Sequence, residues 1–240
     1  MNTNLCHKNV LVTGATGGLG GEIALYLKDL GCRVFITGRD KELLCELSRD
    51  LGENCLGFIE CDLEKEKDID VLIKTSKRSA ALQSGVIDIL INCAGIFPVG
   101  LIKDSSVEDF DRCFNINVRA PFILSKSLYQ DMKNAGWGRI INIGSSSAYG
   151  GFSGTSIYCA SKHALLGLSR SMFNEFKEDG VRVFSVSPGS IQTPMGEKVL
   201  NQDYSTFMDP REIATFIGDI ISYDSNMISE EVRLNRIIVR

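Results

Sequence analysis

Residues 9–20 read Asn9-Val10-Leu11-Val12-Thr13-Gly14-Ala15-Thr16-Gly17-Gly18-Leu19-Gly20. The first five form a short apolar run rich in β-branched residues, the pattern of a buried strand. The glycines follow at once. An amphipathic helix then runs through Ile23, Ala24, Tyr26, Leu27 and Leu30, and Gly31 stops it. Strand, glycine turn and helix in that order have a physical use. Glycine permits a positive φ and lets the backbone approach a ligand closely. The free N–H groups at the helix start then make a site for an anion such as a pyrophosphate.

Outward from this unit the chain alternates. Residues 33–37, 56–60, 87–92, 139–143 and 181–186 read as strands, with 232–239 as a last one. Residues 41–51, 69–82, a long segment from Ser105 and the segment carrying Tyr158 towards Asp179 read as helices. Ser105 with Glu108 three residues on is a capping-box pattern. Gly180 ends the Tyr158 helix. Asp209-Pro210-Arg211-Glu212 opens the last helix with an N-cap acid, a proline at the first helical position and an acid in the first turn. Strands alternating with helices predict βαβ units, a parallel sheet covered on both faces and right-handed crossovers. The fold class is therefore α/β: a doubly wound parallel sheet of about seven strands in a single domain spanning 1–240.

Composition agrees and excludes several classes. Hydrophobic content of 44% and charged content of 23% are ordinary for a globular chain of 240 residues. A net charge of −4 gives no reason to expect nucleic acid or an anionic membrane surface. No signal peptide and no membrane-length apolar span is evident. Eight cysteines occur with no Cys-x-x-Cys pair, which suits free thiols in a reducing cytoplasm. Cys159 beside Tyr158 reads as packing. With His7 and His163 as the only histidines, a histidine metal site or a Ser-His-Asp triad is not expected, and no metal is assigned.

The strongest chemical signal lies in Ser156-Ile157-Tyr158-Cys159-Ala160-Ser161-Lys162. On a helix, Tyr158 and Lys162 share one face a turn apart. An ammonium beside a phenol favours the phenolate, so Tyr158 is expected to exchange protons near neutral pH.

These motifs, with Asp62-Leu63, Asn92-Cys93-Ala94-Gly95, Asn117, Ser145 and Pro188-Gly189 with Thr193, resemble the short-chain dehydrogenase/reductase family in its short, single-domain branch. The set comes in the family's order and covers nearly all of the chain. Ser145 is chosen over Ser146 and Ser147 because it lies thirteen residues before Tyr158, the separation usual in the family. Asn92-Cys93 stands where Asn-Asn is commoner.

The resemblance implies a Rossmann-type sheet and a nicotinamide-dependent oxidoreductase interconverting a ketone and a secondary alcohol. It implies that Tyr158 is the general acid/base and that Lys162 lowers its pKa and bonds the nicotinamide ribose. Ser145 holds the substrate oxygen, and Asn117 positions a relay water reaching Lys162. The cofactor-binding positions it implies are Gly14, Thr16, Gly17, Gly18, Leu19, Gly20, Arg39, Asp62, Leu63, Asn92, Ala94, Gly95, Tyr158, Lys162, Pro188, Gly189, Ile191 and Thr193. A carboxylate at the end of the second strand would select NAD. Here Arg39 stands there, able to pair with a 2′-phosphate, so NADP(H) is expected, with NAD(H) the alternative. Asp40 reads as the N-cap of the next helix.

The substrate is a small carbonyl or alcohol compound; acyl-carrier-bound ketones, sugars and small hydroxy compounds all stay open. Residues 191–208, with Met195, Val199, Leu200, Tyr204 and Phe207, are expected to close the pocket, and Ile96, Phe97 and Tyr149 to face them. Two other readings are a non-catalytic dinucleotide-binding regulator and an epimerase of the longer related branch. No member of the Ser-Tyr-Lys set is missing, and 240 residues leave little room for an added substrate domain. The ending Glu231 to Arg240 lacks the Gly-rich close of many members. A homodimer through the helices from Ser105 and Ile157, or a homotetramer, is expected.

Overall fold

A computed structural model describes residues 3–199, 202–225 and 228–237. Seven strands form one sheet: β1 (Asn9–Thr13), β2 (Arg33–Gly38), β3 (Cys55–Glu60), β4 (Ile89–Asn92), β5 (Gly138–Ile143), β6 (Val181–Pro188) and β7 (Glu231–Leu234). Every pairing is parallel and the spatial order is β3-β2-β1-β4-β5-β6-β7. The chain builds outward from β1 to β3, then returns to the other side of β1 as β4. That reversal opens a crevice at the carboxyl ends of β1 and β4, the usual ligand position in such sheets.

Side chains alternate across the sheet and feed two cores. Val10, Val12, Val34 and Ile36 point to one face, where they pack with α1 (Gly18–Asp29), α2 (Lys41–Leu51) and α7 (Pro210–Ser222). Leu11, Phe35, Leu90 and Ile140 point to the other, against α3 (Glu66–Leu82), α5 (Ala120–Asn134) and α6 (Ser156–Phe176). The predicted α/β sheet is therefore present with both faces covered.

Several boundaries differ from the sequence reading. Helix α4 (Val107–Phe114) is capped by Ser106 in a capping box with Asp109, not by Ser105 with Glu108. The expected long helix is interrupted at Asn115–Arg119 by a π-helical turn before α5 continues. One extra residue in a turn does not disturb an apolar period enough to be read, and such bulges are frequent at functional sites. The last strand ends at Leu234; of the rest of the predicted 232–239 strand, residues 235–237 are not β, and 238 and 239 lie outside the described residues. Leu200 also lies outside them.

Candidate active site

The glycine turn is built by close approach. Gly14 has φ +68°, and a Cβ there would meet Ala94 N and Cα at 2.7 Å. A Cβ on Gly20 would collide with the carbonyl oxygen of Gly14. Thr13 Oγ1 donates to Ile91 O at 3.2 Å and accepts from the N–H groups of Cys93 (3.1 Å) and Ala94 (3.2 Å), so one hydroxyl ties β1 to the turn after β4. A Cβ on Gly18 would lie 2.8 Å from Thr193 Cγ2. The segment after Pro188 and Gly189 thus folds back over the turn that contains Gly17, Gly18 and Leu19. Thr193 Oγ1 accepts from Gly196 N–H, and Ile191 bridges to Met208.

At the other end of the crevice, Thr16 leans on Gly38 and leaves no room for a larger residue before Arg39. Arg39 is exposed and borders a cavity of about 430 Å³, with Ile59, Glu60, Asp62 and Lys65 among its other walls. Asp40 caps α2 through Glu42 and Leu43 N–H, as its register predicts. Asp62 is turned inward on its own loop: its carboxylate accepts from Glu64 N–H at 3.2 Å and pairs with Lys65 at 3.3 Å. Leu63 is buried beside it. Lys65 was not anticipated; a cation three residues after Asp62 was the available signal.

The centre is a buried polar row. Thr37, Thr13, Asn92, Asn142 and Ser185 stand in register across five strands, and all are buried. Asn92 Nδ2 donates to Asn142 Oδ1 at 2.8 Å, and Asn142 Nδ2 to Ser169 Oγ at 2.9 Å. Asn142 escaped the sequence reading, although a lone amide inside Ile140-Ile141-Asn142-Ile143 was a signal for it.

Over this row sit the four expected catalytic side chains. Asn117, in the π turn, accepts from Ile96 N–H at 2.9 Å and donates to Ile96 O at 3.0 Å and Ser161 Oγ at 3.0 Å. A Cβ on Gly95 would lie 3.3 Å from Asn117 Oδ1 and 3.8 Å from Lys162 Nζ, so these two groups face one small space. Lys162 is buried, and its Nζ donates to Ile143 O at 2.8 Å. Ser145 Oγ accepts from Ser147 N–H at 3.1 Å, which leaves its own proton to be donated. It reaches the buried phenol of Tyr158.

The charge states differ from the sequence expectation. Burial pushes the Tyr158 phenol up to about 12, against the downward pull of its hydrogen bond with Ser145. Burial also pulls the Lys162 ammonium down to about 8. The Lys162 head group is bonded to Ile143 O and stands 5.6 Å from the ring centroid, and desolvation is the larger effect on the phenol. Burial likewise raises the neighbouring Cys93 thiol to about 12, which keeps it neutral. Cys159 is buried and Thr155 Oγ1 lies 3.3 Å from its sulfur, consistent with packing.

These residues fit a dinucleotide: a close-packed glycine turn, a side cavity with a cation, and a buried ammonium with protons to spare. The profile of the family described as short chain dehydrogenase matches residues 8–204. The chain belongs to the short-chain dehydrogenase family. It is a dinucleotide-binding oxidoreductase acting on CH–OH and C=O groups. Among its relatives, the 3-oxoacyl-acyl-carrier-protein reductase FabG of Rickettsia bellii is 33% identical over 235 residues, covering 94% of each chain. A solved short chain dehydrogenase/reductase family protein superposes with a TM-score of 0.84 at 33% identity, covering 97% of both chains. A metagenomic short-chain oxidoreductase solved in complex with NADP has a TM-score of 0.82 at 26% identity, over 99% of this chain and 100% of that one. Among the described residues of this dehydrogenase, no helix is long and apolar enough to cross a membrane, and all eight cysteines are free.

Proposed function

We propose that the protein reduces a ketone to a secondary alcohol with NADPH, and runs the reverse with NADP, using Tyr158 as the general acid/base. One observation carries this reading: a buried phenol whose ring lies 5.6 Å from a buried ammonium that faces Gly95, with the Ser145 hydroxyl acting on the phenol. When bound, the nicotinamide supplies the hydride. Ser145 donates its free proton to the carbonyl oxygen and holds it against Tyr158. Tyr158 then donates the phenolic proton to that oxygen as charge develops there. Lys162 holds the ribose with the protons not bonded to Ile143 and stabilises the phenolate left behind. Asn117 borders the space beside Lys162 where a relay water is held, its own amide being committed to Ile96.

The turn from Gly14 and Thr16 through Gly20 holds the pyrophosphate. Asp62, Leu63, Asn92, Ala94, Gly95, Pro188, Gly189, Ile191 and Thr193 line the rest of the cofactor crevice. Two things support NADP(H) over NAD(H): Arg39 stands exposed at the side cavity, and a structural relative was solved in complex with NADP. The Rickettsia bellii relative is named for a 3-oxoacyl substrate on a carrier protein, which makes such a ketone the first to test. We read residues 1–240 as a single dinucleotide-binding and catalytic domain and the enzyme as cytoplasmic, the free thiols supporting that compartment. Val107 and Phe110 on α4 are exposed at 70% and 43%, which supports self-association through this helix.

The test is a ketone screen, 3-oxoacyl thioesters included, following NADPH absorbance with wild type and Tyr158→Phe. The variant is expected to lose at least about a thousandfold in kcat, on the order of 4 kcal/mol, while still binding NADPH. Turnover retained in the variant would remove Tyr158 as the acid.

A further inference from the structure

Phe97 has no place in the motif set, yet its ring meets that of Tyr158 edge-on. The centroids are 4.7 Å apart and the planes cross at 74°, the geometry that aromatic quadrupoles favour. Phe97 is held in place from both sides along the chain. Ile96, the residue before it, is gripped at both N–H and C=O by Asn117, whose amide is itself anchored by Ser161 and by Cys113 Sγ at 3.3 Å. Three residues on, Gly100 N–H donates to Gly154 O at 2.8 Å, tying the segment to the approach to α6. The phenyl ring is therefore placed by the same polar network that sits beside Lys162.

We infer that Phe97 is a positioning residue for the proton donor: its edge contact fixes the Tyr158 ring in rotation and keeps water from the phenol. The inference rests on the proposed role of Tyr158. The groups that act on that phenol are few. They are the Ser145 hydroxyl, Cys159 from α6 and Cys113 from α4, with no carboxylate among them. Lys162 stands 5.6 Å from the ring centroid and is bonded elsewhere. Burial therefore governs the proton on Tyr158, and Phe97 supplies part of that burial.

The test compares Phe97→Leu, Phe97→Tyr and Tyr158→Phe in the full chain. Phe97→Leu keeps an apolar side chain without a ring; Phe97→Tyr keeps the ring. For Phe97→Leu the expected result is about a tenfold fall in kcat, with NADPH affinity and thermal midpoint unchanged. Phe97→Tyr restores kcat. In the apo protein, an ultraviolet titration to pH 10.5 taken against Tyr158→Phe shows phenolate at Tyr158 only when residue 97 is leucine. Wild-type kcat in Phe97→Leu would overturn the inference. So would a loss in Phe97→Tyr as large as in the leucine variant, or weakened NADPH binding in Phe97→Leu. If Tyr158→Phe itself remains active, it is the reading of Tyr158 that fails, and the titration still reports whether Phe97 shields the phenol.

Discussion

The two ends of strand β5 each hold a buried cation, and the two are treated in opposite ways. At the entry end, Arg139 is fully buried. Its guanidinium donates to Gly138 O at 2.8 Å and Ile221 O at 3.3 Å, pairs with Asp224 at 3.1 Å, and lies over the Trp137 ring at 4.2 Å. At the exit end, the carbonyl of Ile143 is the hydrogen-bond partner of Lys162. Burial lowers both groups, Arg139 to about 10 and Lys162 to about 8. Arg139 stays charged at neutral pH, and the bonds from all three of its nitrogens run to the fold, so it joins β5, the end of α7 and Asp224 into one base. Lys162 keeps unpaired protons at the crevice. A buried charge bonded at every nitrogen to the backbone and a carboxylate ties elements together; one with a single bond keeps protons available to a ligand.

Arg139→Met is the sharpest way to break this contrast. It removes a buried donor set and leaves several carbonyls unmet, so unfolding stability in urea is expected to fall by about 3 kcal/mol. NADPH affinity measured on the folded variant should not change. A variant as stable as wild type would make the two ends alike.

Lys162→Met should move stability the other way. The ordinary lysine value is 10.5 and the folded value about 8. Between those pH values the unfolded chain holds the proton and the folded chain does not, so wild-type stability rises with pH through that window. The methionine variant carries no such cost. After allowing for the lost bond to Ile143 O, it is expected to exceed wild type by about 2 kcal/mol at pH 7. That gap should close by pH 10.5. Urea midpoints across the window measure it, and a gap that widens with pH would contradict the lysine's assigned environment.

Arg39 is a third cation, exposed and without a hydrogen bond among the described residues. Arg39→Ala is expected to cut kcat/KM for NADPH about tenfold and to leave NADH unchanged. Equal loss with both cofactors would mean that Arg39 does not contact the 2′-phosphate.

Much of this was visible in the residue string. The predicted helix at 41–51 coincides with α2, and the Asp209 cap and the glycine turn are where their local chemistry puts them. Such features depend on neighbours within a few positions. Ser105-x-x-Glu108 and Ser106-x-x-Asp109 are two overlapping capping boxes one residue apart. Local pattern cannot choose between them; the face that α4 buries does, with Cys113 on the inside. The π turn at Asn115–Arg119 was hidden for a similar reason, since it aims Asn117 at a backbone segment 21 residues earlier.

Alternating periods and glycine spacing were enough to specify a parallel sheet with a close-packed glycine turn, because strand, helix and turn preferences act over short range. The protonation of Tyr158 and Lys162 was not available at that level. A four-residue spacing brings an amine near a phenol, but the chain must close before Ile143 can claim the ammonium and Phe97 can cover the ring. Dielectric and hydrogen-bond partners belong to groups distant in sequence, so folding sets the charge at the site.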